Sequence, residues 1–314
     1  MTHSTENVSS IASKAVVASS PLACELLKQL MRGENLSEDA AGELLSILID
    51  DTTSDAQIAA LLTALALKGE CVNELTGLAA AMRACSLRVR SQHKNFIDTA
   101  GTGASTVKTF NVSTAAAFVI AGAGLPVAKH GARASTSTSG SADVLSALGV
   151  RIEAMPEIAA ELLNELGICF MFAPLYHCAT ARVAKVRREL GIQTIFNLIG
   201  PLTNPARAPF QLLGVARPDM REALAHAALR LGIERVWVVS GQDGLDEVTL
   251  NGETAVAEAK DGKVSTFTIA PEDFGLARSL MLDLQRAGAQ ENAATISDVL
   301  SGTRRERCAA AYHY

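Results

Sequence analysis

The chain has 314 residues, 48% of them hydrophobic and 19% charged, a composition that suits a globular protein with a large core. Its formal net charge of −5 and pI near 5.7 argue against a dedicated nucleic-acid binder, because such proteins usually carry a basic surface. Its apolar runs are too short for a membrane span, and its six cysteines have no paired or zinc-type spacing. Scattered cysteines of this kind indicate reduced thiols and predict a cytoplasmic protein.

The first part of the chain predicts a polar tail followed by helices. Residues 1–20 are rich in Ser, Thr and Ala and lack the basic and apolar segments of an export signal, so we expect a flexible tail. From residue 21 to about residue 90, apolar residues recur at three-to-four spacing in four short segments. Ser37 and Ser54 are the expected N-caps of the second and third helices, and Asn73 is expected to open the fourth. Four helices without strands predict a small helical domain.

The pattern changes after Asn95, where short apolar runs alternate with alanine-rich helical stretches. This alternation predicts an α/β fold with a mostly parallel central sheet. In such a sheet the ligand site is expected beyond the carboxyl ends of the strands. The predicted strands are 96–99, 126–129, 168–172, 211–215 and 235–240, and the predicted helices are 114–121, 142–148, 156–166, 180–190 and 220–231.

A glycine turn and a run of hydroxyl side chains follow the first predicted strand. Gly101-Thr102-Gly103 lets backbone amides approach an anion, and Asn111-Val112-Ser113-Thr114 lies just before an apolar helix. Each feature alone is equally explained by a tight turn or by ordinary N-capping. The glycine turn is neither a P-loop nor the dinucleotide fingerprint, because the later glycines and Gly-Lys-Ser are missing. The proximity of the two features favours a site for a phosphorylated ligand.

A second loop with polar character follows the next predicted strand. Lys129 and His130 end that strand, and Gly131 is followed by Arg133 and a run of Ser and Thr. This pattern is typical of a loop that closes over something polar, although a solvated pair of basic residues at the sheet edge is the plainer alternative. A lysine here would supply a full positive charge to a phosphate.

Two adjacent carboxylates follow the strand predicted at 235–240. Asp246-Glu247 suits Mg²⁺, which prefers one or two carboxylates plus phosphate oxygens of a substrate. Adjacent carboxylates at a strand end more often form a solvated turn. By themselves, His177 and Arg187 would be an ordinary loop histidine and a surface arginine.

Taken together, these motifs resemble the anthranilate phosphoribosyltransferase family, in order and across nearly the whole chain. Gly-Pro-Leu-Thr-Asn-Pro after Ile-Phe-Asn is the most specific of them. The matching segments are Gly101-Thr102-Gly103, Thr109-Phe110-Asn111-Val112-Ser113-Thr114, Lys129-His130-Gly131, Ser139-Gly140-Ser141-Ala142-Asp143, Phe172-Ala173-Pro174 with His177, Val186-Arg187, Thr194-Ile195-Phe196-Asn197, Gly200-Pro201-Leu202-Thr203-Asn204-Pro205, Asp246-Glu247 and Pro271-Glu272-Asp273-Phe274-Gly275-Leu276.

The resemblance implies a fold, a reaction and a set of site residues. It implies a small N-terminal α-helical domain over 21–93, completed by helices near 175–200, and a large α/β domain over 94–314. It also implies a homodimer joined through the helical domains and Mg²⁺-dependent transfer of phosphoribose from phosphoribosyl pyrophosphate (PRPP) to the amine of anthranilate. By position, the residues that would hold PRPP are Gly101, Thr109, Asn111, Ser113, Thr114, Lys129, Ser137 and Ser141; those on the anthranilate side are Gly101, His130 and Arg187; those serving the metal are Ser113, Asp246 and Glu247.

The chain departs from the family pattern at four site positions and at its C-terminus. Ala104 and Ser105 replace Gly-Asp of the family loop, which removes a carboxylate from the PRPP and metal network. Ala132 replaces an asparagine expected to contact the acceptor, and Thr138 replaces a common lysine. Residues 304–307 align with the start of the family's last helices and the sequence ends at Tyr314, so we expect at least one helix of the family to be missing from it.

Three hypotheses follow from these observations. The first is an anthranilate phosphoribosyltransferase that uses PRPP and Mg²⁺. The second keeps the transfer chemistry with a different aromatic acceptor, because of Ala132. The third is a non-catalytic relative that binds phosphate-rich ligands such as nucleic acid, motivated by Ala104, Ser105 and Thr138 and opposed by the acidic pI. We favour the first.

Overall fold

The computed structural model describes residues 20–103, 105, 109–134, 139–279 and 288–303. The helices in these ranges are α1 (Pro21–Met31), α2 (Glu38–Ile49), α3 (Asp55–Lys68), α4 (Val72–Cys85), α5 (Val112–Gly122), α6 (Ser141–Ala147), α7 (Pro156–Leu166), α8 (Ala173–Tyr176), α9 (Ala181–Leu190), α10 (Ile195–Ile199), α11 (Arg221–Arg230) and α12 (Gly288–Leu300). The strands are β1 (Ile97–Gly101), β2 (Val127–Gly131), β3 (Ile168–Phe172), β4 (Phe210–Gly214), β5 (Arg235–Gly241), β6 (Thr254–Lys260) and β7 (Lys263–Ile269). None of the helices in these ranges is long and apolar enough to cross a membrane.

The four N-terminal helices form where the leucine spacing predicts them. The Ser37 hydroxyl caps α2 by accepting a hydrogen bond from Ala40 N at 3.1 Å, and Ser54 forms the expected capping box with Gln57 at the start of α3. The prediction that Asn73 opens α4 was wrong. Cys71 is the N-cap residue, two positions earlier, and Val72 is the first helical residue.

Helices from later in the chain pack against this N-terminal group. Apolar side chains of α9, α10 and the 3₁₀ turn Gly200–Thr203 belong to the same buried cluster as the leucines of α1–α4. Arg83 of α4 is buried and donates to Leu202 O at 2.6 Å and to Leu231 O at 2.9 Å. The helical layer is thereby fixed to the α/β layer, and we keep the proposed division near residue 93 as a domain boundary.

The sheet has seven strands in the order β3-β2-β1-β4-β5-β6-β7. The first five are parallel, as predicted, and their positions agree with the predicted strands within one or two residues. Their carboxyl ends therefore meet at one edge, where Gly101, Gly131, Gly214 and Gly241 lie. This edge carries the residues considered below.

The sequence patterns missed the hairpin of β6 and β7, which adds two antiparallel strands. Asp261 and Gly262 both have positive φ, 51° and 75°, at the tip of this hairpin. An Asp-Gly pair between alternating apolar residues is a strong local hairpin signal, so this dipeptide could have predicted the element.

Candidate active site at the carboxyl edge of the sheet

The glycine turn after β1 is packed against the loop that carries the two carboxylates. Gly103 has φ +69° and donates its backbone N–H to Asp246 Oδ2 at 3.2 Å. A Cβ on Gly214, at the end of β4, would lie 1.6 Å from the Asp246 carbonyl oxygen. Only glycine fits there, because the Asp246 backbone crosses directly over the end of the strand. The close approach fixes Asp246 at the end of β1 and β4.

A buried lysine lies at the centre of the edge. Lys129 of β2 is 3% exposed, and its ammonium donates to the Thr99 carbonyl and lies 3.3 Å from Ser113 Oγ. Thr99 Oγ1 in turn donates to Ser113 O at 2.9 Å, which ties β1 to the first turn of α5. Burial lowers the pKa of Lys129, while Asp98 and Glu247 act in the opposite direction. The N-terminus of α5, a lysine and a serine hydroxyl thus converge, the arrangement that favours an anion.

Glu247 and Asp246 bring two carboxylates to the same place. Burial and the neighbouring Asp246 raise the pKa of Glu247 to about 8, whereas Lys129 and the Ser113 backbone N–H act against the rise. A second positive charge would relieve this repulsion. Two carboxylates with the Ser113 hydroxyl form a set of hard oxygen donors that fits Mg²⁺. In the described parts of the chain, no group of three His, Cys, Asp or Glu residues lies close enough together to hold a metal ion.

Four further residues predicted to bind PRPP lie in the described parts of the chain: Asn111, Thr114, Thr109 and Ser141. Asn111 is the N-cap of α5 and accepts from Thr114 N at 3.3 Å; its own N–H donates to Asn292 Oδ1 at 2.6 Å. Thr114 is buried and Thr109 half-buried. Ser141 is the first residue of α6, and its Oγ lies 2.1 Å from where a Cβ on Gly131 would be. Ser137, the remaining predicted PRPP contact, lies outside the described residues.

Behind the lysine lies a buried carboxylate that sequence reasoning did not single out. Asp98 accepts from His130 N at 3.2 Å and from Asn204 Nδ2 at 2.7 Å, and Asn204 also donates to Ala128 O at 2.8 Å. Burial raises the pKa of Asp98 to about 6 despite the opposing charge of Lys129. The pair joins the Gly-Pro-Leu-Thr-Asn-Pro segment to β1 and β2. The feature of the sequence that could have indicated a role for Asp98 is the presence of a carboxylate within an apolar strand.

His130 and Arg187 both contact the segment formed by α10 and the 3₁₀ turn after it. The His130 ring lies against His177, with ring centroids 5.2 Å apart, and interacts with the backbone of Gly200. Arg187 donates to Asn197 Oδ1 at 3.0 Å, and its guanidinium lies 5.4 Å from the centre of the Phe196 ring.

Five buried polar atoms near this segment have no partner among the described residues: His130 Nε2, His177 Nε2, Arg187 Nε, Thr194 Oγ1 and Gln211 Oε1. A buried donor or acceptor without a partner is costly, which indicates a place built to receive a polar ligand. Burial also keeps His130 neutral, lowering its pKa to about 3 with help from His177 and Lys129.

Two of the departures from the family pattern can be placed. The Ser105 hydroxyl donates to Gly244 O at 3.0 Å, so the residue in the aspartate position is bonded to the same loop that carries Asp246. Ala132 is exposed, and its carbonyl accepts from Ala142 N at 3.2 Å. The expected polar side-chain contact is therefore missing at 132. Ala104 and Thr138 lie outside the described residues.

His177 should make the stability of the fold sensitive to acid. Its pKa is lowered from 6.5 to about 4 by burial, partly offset by the Thr203 backbone. The unfolded chain takes up this proton below pH 6.5 and the folded chain does not, so stability is lost as the pH falls from 6.5 to 4. The loss from this group is about 3 kcal/mol. His177→Gln should reduce the acid loss of unfolding free energy, measured by urea titration at several pH values. The exposed His226→Gln serves as the control, and identical acid dependence in the wild type and His177→Gln would contradict the assignment.

Two domain models of one glycosyl transferase family match the chain. The helical bundle domain matches residues 25–86 and the a/b domain matches residues 93–312. The same two parts are seen in the structure, so the fold and the edge site define a two-domain glycosyl transferase.

Similar proteins identify a narrower family within the glycosyl transferases. An anthranilate phosphoribosyltransferase from Moorella thermoacetica is 49% identical over 278 residues, which cover 88% of this chain and 82% of that protein. The crystal structure of the Thermus thermophilus enzyme of the same name has a TM-score of 0.85 at 41% identity, covering 91% of this chain and 85% of that one. The Saccharomyces cerevisiae enzyme, solved with PRPP and Mg, has a TM-score of 0.81 at 30% identity and covers 93% of this chain and 85% of its own. It has also been solved with 4-fluoroanthranilate. The chain belongs to the anthranilate phosphoribosyltransferase family, which confirms the resemblance and the predicted fold class.

Proposed function

We propose that the protein transfers phosphoribose from PRPP to anthranilate with Mg²⁺, giving N-(5-phosphoribosyl)anthranilate and pyrophosphate in tryptophan biosynthesis. The observation that carries the proposal is the convergence of Lys129, Ser113 and the Asp246-Glu247 pair at the carboxyl edge of the sheet. This is the position at which open α/β sheets bind their ligands. The names of the relatives support the reaction, and this cluster supports the proposal that it takes place at the carboxyl edge of the sheet.

PRPP is held, in this proposal, by the N-terminus of α5 and the strand ends around it. Gly101 and Gly103 allow the backbone to approach a phosphate, while Asn111, Ser113 and Thr114 stand in the first turn of α5, where the helix dipole is positive. Lys129 supplies the full charge. Thr109, Ser137 and Ser141 are proposed as the further contacts.

Ser113, Asp246 and Glu247 would hold the metal ion, and the remaining ligands would come from PRPP. Bound Mg²⁺ supplies positive charge to the pyrophosphate as it becomes a leaving group. Lys129 contributes charge to the same group from the protein side. Burial lowers the pKa of Lys129, and Asp98 and then Glu247 act against this to keep the ammonium charged.

The transfer breaks the C1–O bond of the ribose, and pyrophosphate leaves with the electron pair. The anthranilate nitrogen then bonds to C1 and gives up a proton. Fixed charges at the carboxyl edge stabilise the departing anion without reorganising during the reaction. An aryl amine is nucleophilic without prior deprotonation, so we assign the remaining catalysis to placement of the acceptor.

Arg187 is proposed to bind the anthranilate carboxylate, with His130 and Gly101 beside the ring. The guanidinium keeps an unpartnered buried Nε although it already bonds Asn197. A carboxylate would satisfy that donor and neutralise the charge, in the fork geometry that suits arginine. Neutral His130 offers a ring face and an Nε2 without a partner among the described residues, and it adds no charge.

Release of pyrophosphate tests the reaction. The protein should release pyrophosphate from PRPP in the presence of Mg²⁺ only when an acceptor is added. Release of the same size without anthranilate would mean that PRPP is hydrolysed and would count against the transfer. No release with anthranilate would contradict the proposal directly.

A different aromatic amine is the second candidate acceptor, and Ala132 favours it. The position where the family has an asparagine offers no side-chain polar group here. The same assay with a panel of substituted anilines decides between the two. A higher kcat/KM for another amine than for anthranilate would select the second candidate.

We further propose a homodimer that forms through the helical layer. A groove of about 660 Å³ between α1 and α3 is lined mainly by apolar side chains, and Met31 and Leu67 beside it are 74% and 84% exposed. Large exposed apolar side chains at one place are typical of an interface. Light scattering should give the mass of a dimer, and a monomer at micromolar concentration would contradict the proposal.

We also propose a cytoplasmic location, supported by the free cysteines of the described residues.

A further inference from the structure

A basic cleft of about 520 Å³ lies at the opposite edge of the sheet from the candidate active site. Its walls come from the connector between α4 and β1, from the turn before β4 and from Glu234 just before β5. Strands β1, β4 and β5 begin at this edge and end at the active-site edge. A strand of five residues spans about 16 Å, so the two places are separate.

The connector holds two arginines on its outer side. Leu87 N donates to Tyr176 O at 3.0 Å, and Val89 N donates to Pro205 O at 3.2 Å. Val89 is buried, so the alternate residues Arg88 and Arg90 are directed outward from the same face of an extended segment. The second hydrogen bond also draws this segment to the turn that carries Arg207. The guanidinium groups are thus gathered by fixed backbone.

The cations of the cleft have no partners among the described residues. Arg88, Arg90, Lys94 and Arg207 make no side-chain hydrogen bond or ion pair there, whereas the surface residues Arg182 and Arg217 are bonded to carboxylates. Glu234 is the one carboxylate in the described lining. Burial and the nearby charge of Arg207 lower the pKa of Arg83 behind the cleft to about 10. Four cations therefore line this concave surface against one carboxylate.

We propose that this cleft binds a small polyanion of the polyphosphate class. A concave surface with four cations and one carboxylate focuses positive potential. The net charge of the chain is −5, so this local excess of positive charge is not part of a generally basic surface. Multiple guanidinium groups match the oxygens of adjacent phosphates by charge-assisted hydrogen bonds. The cleft volume suits a free polyphosphate or the phosphates of a nucleotide.

Hydrogen–deuterium exchange with inorganic tripolyphosphate tests the site. Tripolyphosphate should slow exchange of the amides in 86–96 of the wild type, in addition to any effect at the active site. Arg88→Gln with Arg90→Gln should weaken this protection by about tenfold in concentration and leave the rate of phosphoribosyl transfer within about twofold. The matched control is Arg151→Gln with Lys263→Gln, two exposed cations elsewhere without side-chain partners among the described residues, and it should behave as wild type.

The outcomes separate the proposal from its alternatives. Equal protection by ATP and tripolyphosphate would show that phosphates alone are recognised, and tighter binding of ATP would show that the nucleoside contributes; both support the site. Two results would overturn it. One is undiminished protection in the variant with Arg88→Gln and Arg90→Gln, and the other is an equal loss of protection in the control variant. Protection by single-stranded DNA without any by tripolyphosphate would also overturn it, in favour of a nucleic-acid surface.

Discussion

Replacing Asp246 with Asn and Glu247 with Gln together should reduce phosphoribosyl transfer by at least about a thousandfold. Both amides keep the shape of the side chains but remove the two negative charges that would bind Mg²⁺. The fold should persist, because Glu247 is a partly buried carboxylate with a pKa near 8 whose charge is already unfavourable. Initial rates at saturating PRPP, anthranilate and Mg²⁺ measure the loss, and thermal unfolding measures the fold.

Glu253→Gln is the matched control for this double variant. It removes one exposed carboxylate a few residues further along the chain and should leave the rate unchanged. A double variant that turns over at the wild-type rate would contradict the metal assignment. If the double variant is unfolded, the single variants test the metal assignment. Glu247→Gln alone should lower the apparent affinity for Mg²⁺.

Arg187→Ala should raise the KM for anthranilate by about tenfold to a hundredfold and change the dissociation constant of PRPP by less than about twofold. The guanidinium lies over Phe196 and bonds Asn197 on α10, on the side of His130. Within the described residues, its hydrogen bond goes to α10 and not to the proposed phosphate-binding residues. The acceptor carboxylate would lose its charged partner, whereas the α5 end of the site would stay intact.

The neighbouring Arg188 offers the control for this prediction. It is exposed on the same helix, and Arg188→Ala should leave both constants unchanged. Arg187→Lys should recover only part of the anthranilate affinity, because an ammonium lacks the planar fork of a guanidinium. Equal losses for anthranilate and PRPP would contradict the placement of Arg187 and point to a general disturbance of α9 and α10.

Periodicity predicted the parallel strands and most helices, because each depends on local spacing of apolar residues. The same spacing placed Lys129 and Gly101 at strand ends, which is why the edge of the sheet could be anticipated. The ends of the strands were predicted less accurately than their positions. The strand predicted at 126–129 continues to Gly131, because the backbone of Gly131 still pairs with Phe172 of β3. Such pairing depends on a neighbouring strand and is invisible in a local pattern.

Contacts between distant segments could not be predicted from spacing. Asp98 and Asn204 are more than one hundred positions apart and meet only because β1, β2 and the turn before β4 converge. The bond from Ser105 to Gly244 is of the same kind. It shows how a residue that departs from the family pattern is accommodated, with a hydroxyl bonded to the Asp246 loop. The orphaned nitrogens of His130 and His177 likewise emerge only when burial is known.

Loss of anthranilate fluorescence on incubation with PRPP, Mg²⁺ and the protein tests the central claim most directly. We expect a decrease that requires all three components and is abolished by EDTA. That result would also show that Ala104, Ser105 and Ala132 are tolerated in an active site. Folded protein that causes no fluorescence loss at any Mg²⁺ concentration would contradict the claim that the chain transfers phosphoribose to anthranilate.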